Sequence, residues 1–333
     1  VMNMSQPGAA AGPELEQERH QLLAEVASLY YDANYTQSEI ADELGVSRSS
    51  ISRLLSLARE LGVVDITINW PGDSISDLGP RIKQQFGIHE IRVVRAGARG
   101  QEQVVEALGG VAARLLEKKL RDNMVIGIAW NTGVYQVIRA LRAAYRMGGT
   151  VVQLTGSAGV NPRLDGPDLA RWLAQILGGQ YLYLSAPLVV DSPATRAALL
   201  KDRAIAERLE YARRADLALV GIGTVYPPLC SLLEIGYLTE AELAAITVKG
   251  GVGDILTTFY DIEGRILSLP FHERIIGLPL THLHEIGCVI GVAAGREKAP
   301  AIIGALRGGF INCLVIDDQA ARAVLQLSAG SAS

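Results

Sequence analysis

The residues most able to do chemistry in this sequence fall in two kinds of place. In Ser47-Arg48-Ser49-Ser50-Ile51-Ser52-Arg53, short hydroxyls and two guanidinium groups are spaced around helical turns. That combination suits a major groove, since guanidinium forks and serine hydroxyls hydrogen-bond both base edges and phosphates. Arg48 and Arg53 fit a guanine edge or a phosphate equally well. The second kind is a series of glycine and hydroxyl loops: Trp130-Asn131-Thr132-Gly133, Thr155-Gly156-Ser157-Ala158-Gly159, Gly221-Ile222-Gly223-Thr224 and Gly295-Arg296-Glu297-Lys298. Each follows an apolar, strand-like run. Backbone N–H groups at helix starts, a threonine hydroxyl and a lysine can bind phosphate or another anion. Gly250-Gly251-Val252-Gly253-Asp254 adds a carboxylate fit to accept hydrogen bonds from sugar hydroxyls. A single such loop is usually a structural turn, whereas four at successive strand ends point to a pocket.

Other chemistries find little support. GxxxxGK[ST] is absent, and GxGxxG fails because Tyr226 stands where the third glycine would be, so nucleotide binding is not expected. His282 and His284 alternate, with no third ligand at a suitable spacing, and Cys230, Cys288 and Cys313 are scattered without CxxC. The cysteines read as buried small hydrophobes. No cofactor, metal site or catalytic residue is expected. No apolar run approaches the ~18 to 20 residues that span a bilayer, and the N-terminal stretch lacks a secretory pattern, so the expected location is cytoplasmic, with no membrane partner.

These groups need elements to hold them. In the stretch from Thr36 to Leu61, apolar Ile40, Ala41 and Leu44 give a short helix one buried edge, capped by Thr36 with Glu39 at the capping-box spacing. Gly45 supplies the positive φ of a tight turn, and Val46 reads as a plug between helices. Ser47 caps the next helix, which buries Ile51, Leu54, Leu55 and Ala58 and turns Arg48, Ser49, Ser50, Ser52 and Arg53 outward. This is a helix-turn-helix. Thr36 and Gln37, at a helix start, are expected on phosphate. A preceding helix over residues 14–32 packs on it, Gly62 ends it, and residues 63–68 read as a short strand.

The organisation expected is a disordered tail over residues 1–13, a DNA-binding domain over 14–70, an effector-binding and oligomerisation domain over 71–327, and a frayed tail over 328–333. In the large domain, strands are expected at 91–94, 124–129, 151–154, 181–184, 217–222, 288–292 and 313–316. Helices are expected at 103–120, 133–144, 169–177, 192–213, 240–245, 298–306 and 318–327. Runs apolar on both sides, such as Leu217-Ala218-Leu219-Val220, belong to strands covered on both faces, so the fold class is an α/β open, mostly parallel sheet. The net charge of −4 and the acidic groups within the motif imply weak binding by one head, so a homo-oligomer is expected.

With SEIADELGVSRSSISRLL at the head and YLSAPLVVDSPATRAALL, GVGDI, YDIEGR and VIGVAAGREKAPAIIGALRGGFINCLVIDD behind it, the chain resembles the SorC/DeoR-type family of bacterial sugar-binding transcriptional regulators, over residues 22–327. The resemblance implies a winged-type head, an effector domain like that of sugar-phosphate isomerases, a phosphorylated sugar as inducer, and a tetramer, a dimer of dimers, on operator DNA. It places the effector on Trp130, Asn131, Thr132 and Gly133 for phosphate, then Gly156, Ser157, Asp165, Gly166, Asp254 and Lys298. Gly221 and Gly223 join these from their own loop. Relatives commonly show Gly-Ser/Thr-Thr where Trp130-Asn131-Thr132 stands, so the cradle here is narrower or differently polar. The alternative is a sugar-phosphate isomerase-like enzyme with Asp254 and Lys298 at its centre.

Overall fold

Proline at the first position of a helix forfeits no hydrogen bond, and Pro13 opens α1 (Pro13–Tyr31). Two shorter helices follow, α2 (Gln37–Leu44) and α3 (Arg48–Glu60). The structure is a computed structural model and describes residues 13–61, 63–64, 75–142, 147–159 and 165–330. The chain divides into two compact units, Val1–Pro71 and Gly72–Ser333.

In the first unit Val26, Ile40, Ala41, Ile51 and Leu55 form one buried cluster, and Leu23, Ala27 and Ala58 a second. Leu44 and Leu54 pack on these while half-buried. The turn is as expected: Gly45 has φ +65° and its N–H donates to the Ala41 carbonyl. Val46 is not a plug. It is 45% exposed, in the turn between the αL Gly45 and the Ser47 cap of α3. Val63 and Val64 lie outside any strand, and the rest of the expected strand, like Gly62, falls outside the described residues.

The second unit opens with a helix that periodicity did not reveal, α4 (Ile75–Phe86), interrupted in pattern by Pro80. Then come β1 (Glu90–Val94), α5 (Gln101–Lys119), β2 (Val125–Ile128), α6 (Thr132–Ala140), β3 (Thr150–Gln153), α7 (Gly166–Leu177) and β4 (Gln180–Leu182). The expected long helix over 192–213 is two, α8 (Pro193–Lys201) and α9 (Arg203–Ala212), because the Asp202 carboxylate accepts from the N–H of Ala204 and Ile205 and starts a new helix. After β5 (Leu217–Gly221) come α10 (Ser231–Glu234), α11 (Glu240–Val248), β6 (Gly251–Ile255) and β7 (Thr258–Asp261). The last elements are β8 (Cys288–Ala293), α12 (Ala299–Arg307), β9 (Cys313–Asp317) and α13 (Asp318–Gly330). Ser328 is no frayed end: it is buried, and its hydroxyl donates to the Val324 carbonyl at 2.7 Å.

Seven strands pair in parallel in the order β1-β9-β8-β5-β2-β3-β4. Alternate residues feed two cores. Ala218 and Val220 of β5 join Leu314 and Ile316 on one face, with α4, α12 and α13, while Leu217 and Leu219 join Ile126, Ile128 and Ile290 on the other, with α5, α6 and α7. The order makes β2 and β5 the switch point. From β2 the chain winds outward through β3 and β4, and from β5 it winds the other way through β8 and β9. Separately, β6 and β7 form an antiparallel hairpin.

Candidate functional site

The first candidate is the exposed side of α3. Arg48, Ser49, Ser52 and Arg53 are exposed and Ser50 is half-buried, while Ile51, Leu55 and Ala58 are buried. Ser47 is committed locally. Its Oγ accepts from the Ser50 N–H at 3.2 Å and lies 2.8 and 2.9 Å from the Ser49 and Ser50 hydroxyls. Arg53 Nε donates to the Ser49 carbonyl at 3.3 Å, and the side chain stays exposed. Thr36 caps α2 reciprocally with Glu39, whose carboxyl is held below its ordinary range by the Thr36 N–H at 2.7 Å. Gln37 is half-buried beside it.

The second candidate lies where the topology predicts it, in the crevice beyond the carboxyl ends of strands flanking a switch point. A cavity of about 30 Å³ is lined by Trp130 and Asn131 after β2, Thr155 after β3, Gly221 and Gly223 at the end of β5, Ser231 of α10, and Asp254 and Thr257 of the hairpin. Sequence reasoning selected Trp130, Asn131, Gly221, Gly223 and Asp254. It missed Ser231 and Thr257, because a hairpin tip and a one-turn helix brought in from elsewhere carry no local mark, and it passed over Thr155 within a loop it did recognise.

Asn131 caps α6: its Oδ1 accepts from the Gly133 N–H at 2.7 Å. The carboxamide fits against Gly221, where any Cβ would overlap its Cγ and Nδ2. Asp254 stands in the same relation to Gly223, whose added Cβ would overlap the carboxylate. These two glycines are spaces occupied by the polar groups of neighbouring elements. The hairpin turns through Leu256 and Thr257 at φ +51° and +65°, between the paired residues Ile255 and Thr258. Such a turn ordinarily favours Asn or Gly. Asp254 is half-buried, and loss of hydration raises its carboxyl to about 6, against the opposing pull of Lys298 and a hydrogen bond from the Thr257 backbone. Lys298 stands just before α12, and its Nζ donates to the Ile222 carbonyl at 2.7 Å. Burial lowers its ammonium, while the attraction of Asp254 works the other way.

The remaining expected effector residues do not line this cavity. Thr132 is exposed at the first turn of α6, and Gly133 is buried behind the Asn131 cap. Gly156 donates its N–H to the Ile276 carbonyl. Ser157 donates its hydroxyl to Asp165, whose carboxylate also accepts from the N–H groups of Ala158, Gly159 and Gly166. Asp165 and Ser157 therefore fasten their own loop to the start of α7. His282 and His284 lie in a 3-10 turn, where His284 Nε2 meets the Gly308 carbonyl at 2.7 Å. Among the described residues no group of three or more potential ligands could hold a metal, and no helix is long and apolar enough to cross a membrane.

Several proteins similar to this chain are transcriptional regulators. Residues 73–326 match the family described as "Putative sugar-binding domain", and residues 23–60 match Sigma-70, region 4. The chain is 32% identical to the deoxyribonucleoside regulator of Bacillus subtilis over 93% of this chain and 99% of that one. It is 31% identical to the sorbitol operon regulator of Klebsiella pneumoniae over 92% of this chain and 98% of that one. The crystal structure of the full-length sorbitol operon regulator SorC from Klebsiella pneumoniae superposes with a TM-score of 0.76 at 30% identity, covering 92% of this chain and 98% of the other.

Proposed function

Since the chain belongs to the SorC/DeoR-type family of bacterial sugar-binding transcriptional regulators, we propose that it binds operator DNA through α3 and that a phosphorylated sugar, held beyond the ends of β2 and β5, changes its affinity for that DNA. The observation that carries the reading is one chain holding both an exposed Ser/Arg helix start and a polar cavity at a sheet switch point. Arg48, Ser49, Ser52 and Arg53 enter the major groove, Ser47 and Ser50 hold the helix start, and Thr36 and Gln37 sit on phosphate.

Asp254 accepts hydrogen bonds from sugar hydroxyls, Trp130 covers the apolar side of the ring, and the phosphate takes the N-terminus of α6. There it exchanges with Asn131 Oδ1 for the Gly133 N–H, next to Thr132. Lys298 supplies the nearby cation. A cavity of about 30 Å³ holds little more than a water, so the sugar enters as Trp130 and the hairpin tip move apart. Gly156, Ser157, Asp165 and Gly166 act by holding the adjoining loop. Since a single head carries few cations, the working form is a homo-oligomer, a tetramer built as a dimer of dimers, in the cytoplasm.

The effector acts by its different affinity for two arrangements of the heads; a coupling of roughly 1–3 kcal/mol changes operator affinity roughly 5- to 150-fold. Thermal unfolding against paired sugars and sugar phosphates tests the effector class, with stabilisation of roughly 2.7 kcal/mol expected at 100 times Kd. A shift with the free sugar and none with its phosphate would remove the phosphate from this reading. One observation favours the isomerase alternative: a carboxyl at about 6 is poised for proton transfer. Turnover of a bound sugar phosphate would establish it.

A further inference from the structure

The sheet has chemistry at its other end. β8 and β9 both begin with cysteine, and their Sγ atoms are 3.7 Å apart. Cys313 pairs in register with Ile290, so Cys288, two residues earlier, shares its side of the pleat and reaches it diagonally. Cys313 is buried and Cys288 is half-exposed, so a small oxidant meets Cys288 first. At the end of α5, Lys119 Nζ lies 2.9 Å from the carboxylate of Glu90, the first residue of β1 and the register partner of Cys313. Arg92 pairs with the same carboxylate and offsets its charge.

Hydrogen bonding from the Cys313 thiol and the charge of Lys119 lower the Cys288 thiol, against burial and Glu90, while Cys313 is pushed up by Cys288 and by burial. Of the two thiols, Cys288 therefore ionises first. That is the division of labour between an attacking and a resolving thiol.

We propose that Cys288 and Cys313 are a redox-active dithiol, converted by peroxide to an intramolecular disulfide. The Cys288 thiolate attacks one peroxide oxygen, the O–O bond breaks, and the products are Cys288 sulfenic acid and hydroxide. The Cys313 sulfur then attacks the sulfenic sulfur, the S–O bond breaks, and the Cys313 proton leaves with the oxygen as water. Two thiols are oxidised and one peroxide is reduced to two waters. The sulfurs must close from 3.7 Å to about 2.05 Å, and a dithiol reductant reverses the step by thiol–disulfide exchange.

The full chain, reduced and then treated with equimolar to tenfold hydrogen peroxide, is alkylated, digested without reductant and mapped by mass spectrometry. The expected product joins the peptides carrying Cys288 and Cys313 and disappears on reduction, while Cys230, buried away from the pair, stays reduced and is alkylated once the chain is unfolded. Cys313→Ser should stop at a Cys288 sulfenic acid captured by dimedone, and Cys288→Ser should give neither capture nor cross-link. Lys119→Met keeps both thiols and should slow oxidation several-fold at neutral pH, a readout that stands even where a cysteine variant fails to fold. Disulfides between chains, oxidation of Cys230 at the same rate, or Cys288 oxidised with no junction to Cys313 would each overturn the proposal.

Discussion

Replacing Asp254 by asparagine should make the protein more stable at neutral pH and deaf to its effector. In the unfolded chain this carboxyl ionises near its ordinary value of 3.8, whereas in the fold it holds its proton up to about 6. Between those values the folded state binds more protons than the unfolded one, so acidification stabilises it. Above 6 the carboxyl is ionised in both states, and that stabilisation is gone. At about 1.36 kcal/mol per pH unit, the interval from 3.8 to about 6 amounts to about 3 kcal/mol. Asparagine keeps the size and hydrogen-bonding edge of the protonated acid and cannot ionise. Asp254→Asn is thus expected to gain about 2–3 kcal/mol at pH 8 over the wild type and roughly nothing near pH 4.

The assay is denaturant unfolding of both proteins at several pH values, with effector-induced thermal shifts recorded alongside. Expected together are a pH-dependent stability gain and a lost shift. A variant less stable at pH 8, or a difference that does not change with pH, would refute the assignment of a desolvated carboxylate at the cavity wall.

Other perturbations separate the remaining parts. Gly223→Ala places a methyl on the Asp254 carboxylate, so effector-induced stabilisation should vanish while operator binding without effector persists in a gel-shift assay. Arg48→Ala should weaken operator selection by roughly 1–3 kcal/mol in competition against non-specific DNA and leave the effector shift unchanged. His272 is neutral in the fold, pushed down to about 4 chiefly by burial, and its Nε2 accepts the Phe259 N–H at 2.9 Å. Its contribution is present above the unfolded value of 6.5 and is lost as pH falls toward 4, opposite in sign to that of Asp254. In the Asp254→Asn background, stability should therefore decline on acidification through this window, and His272→Gln should flatten the decline.

The head was legible because everything that makes it is local. Thr36 with Glu39, Gly45 and Ser47 are caps and turns written within four residues, and Ile51, Leu55 and Ala58 fall on one side of a single helix. The alternation of strands and helices was legible for the same reason, and so was the glycine at strand ends. Ser192 to Arg213 shows the limit of periodicity: both halves are helical, but Asp202 serves one as an end and the other as a cap.

What the sequence by itself determined, then, is most of the elements, the buried faces of many of them, and the glycine and hydroxyl loops at strand ends. Only the tertiary structure decided which loops meet. A parallel strand carries no local mark of its neighbours, since its partners arrive by crossovers of a dozen residues or more. The order that makes β2 and β5 adjacent, and so sets Asn131 against Gly221, is a property of the whole sheet. The same long-range pairing folds Asp254 onto Gly223 from a separate hairpin and brings Cys288 and Cys313 to 3.7 Å across 25 residues of chain.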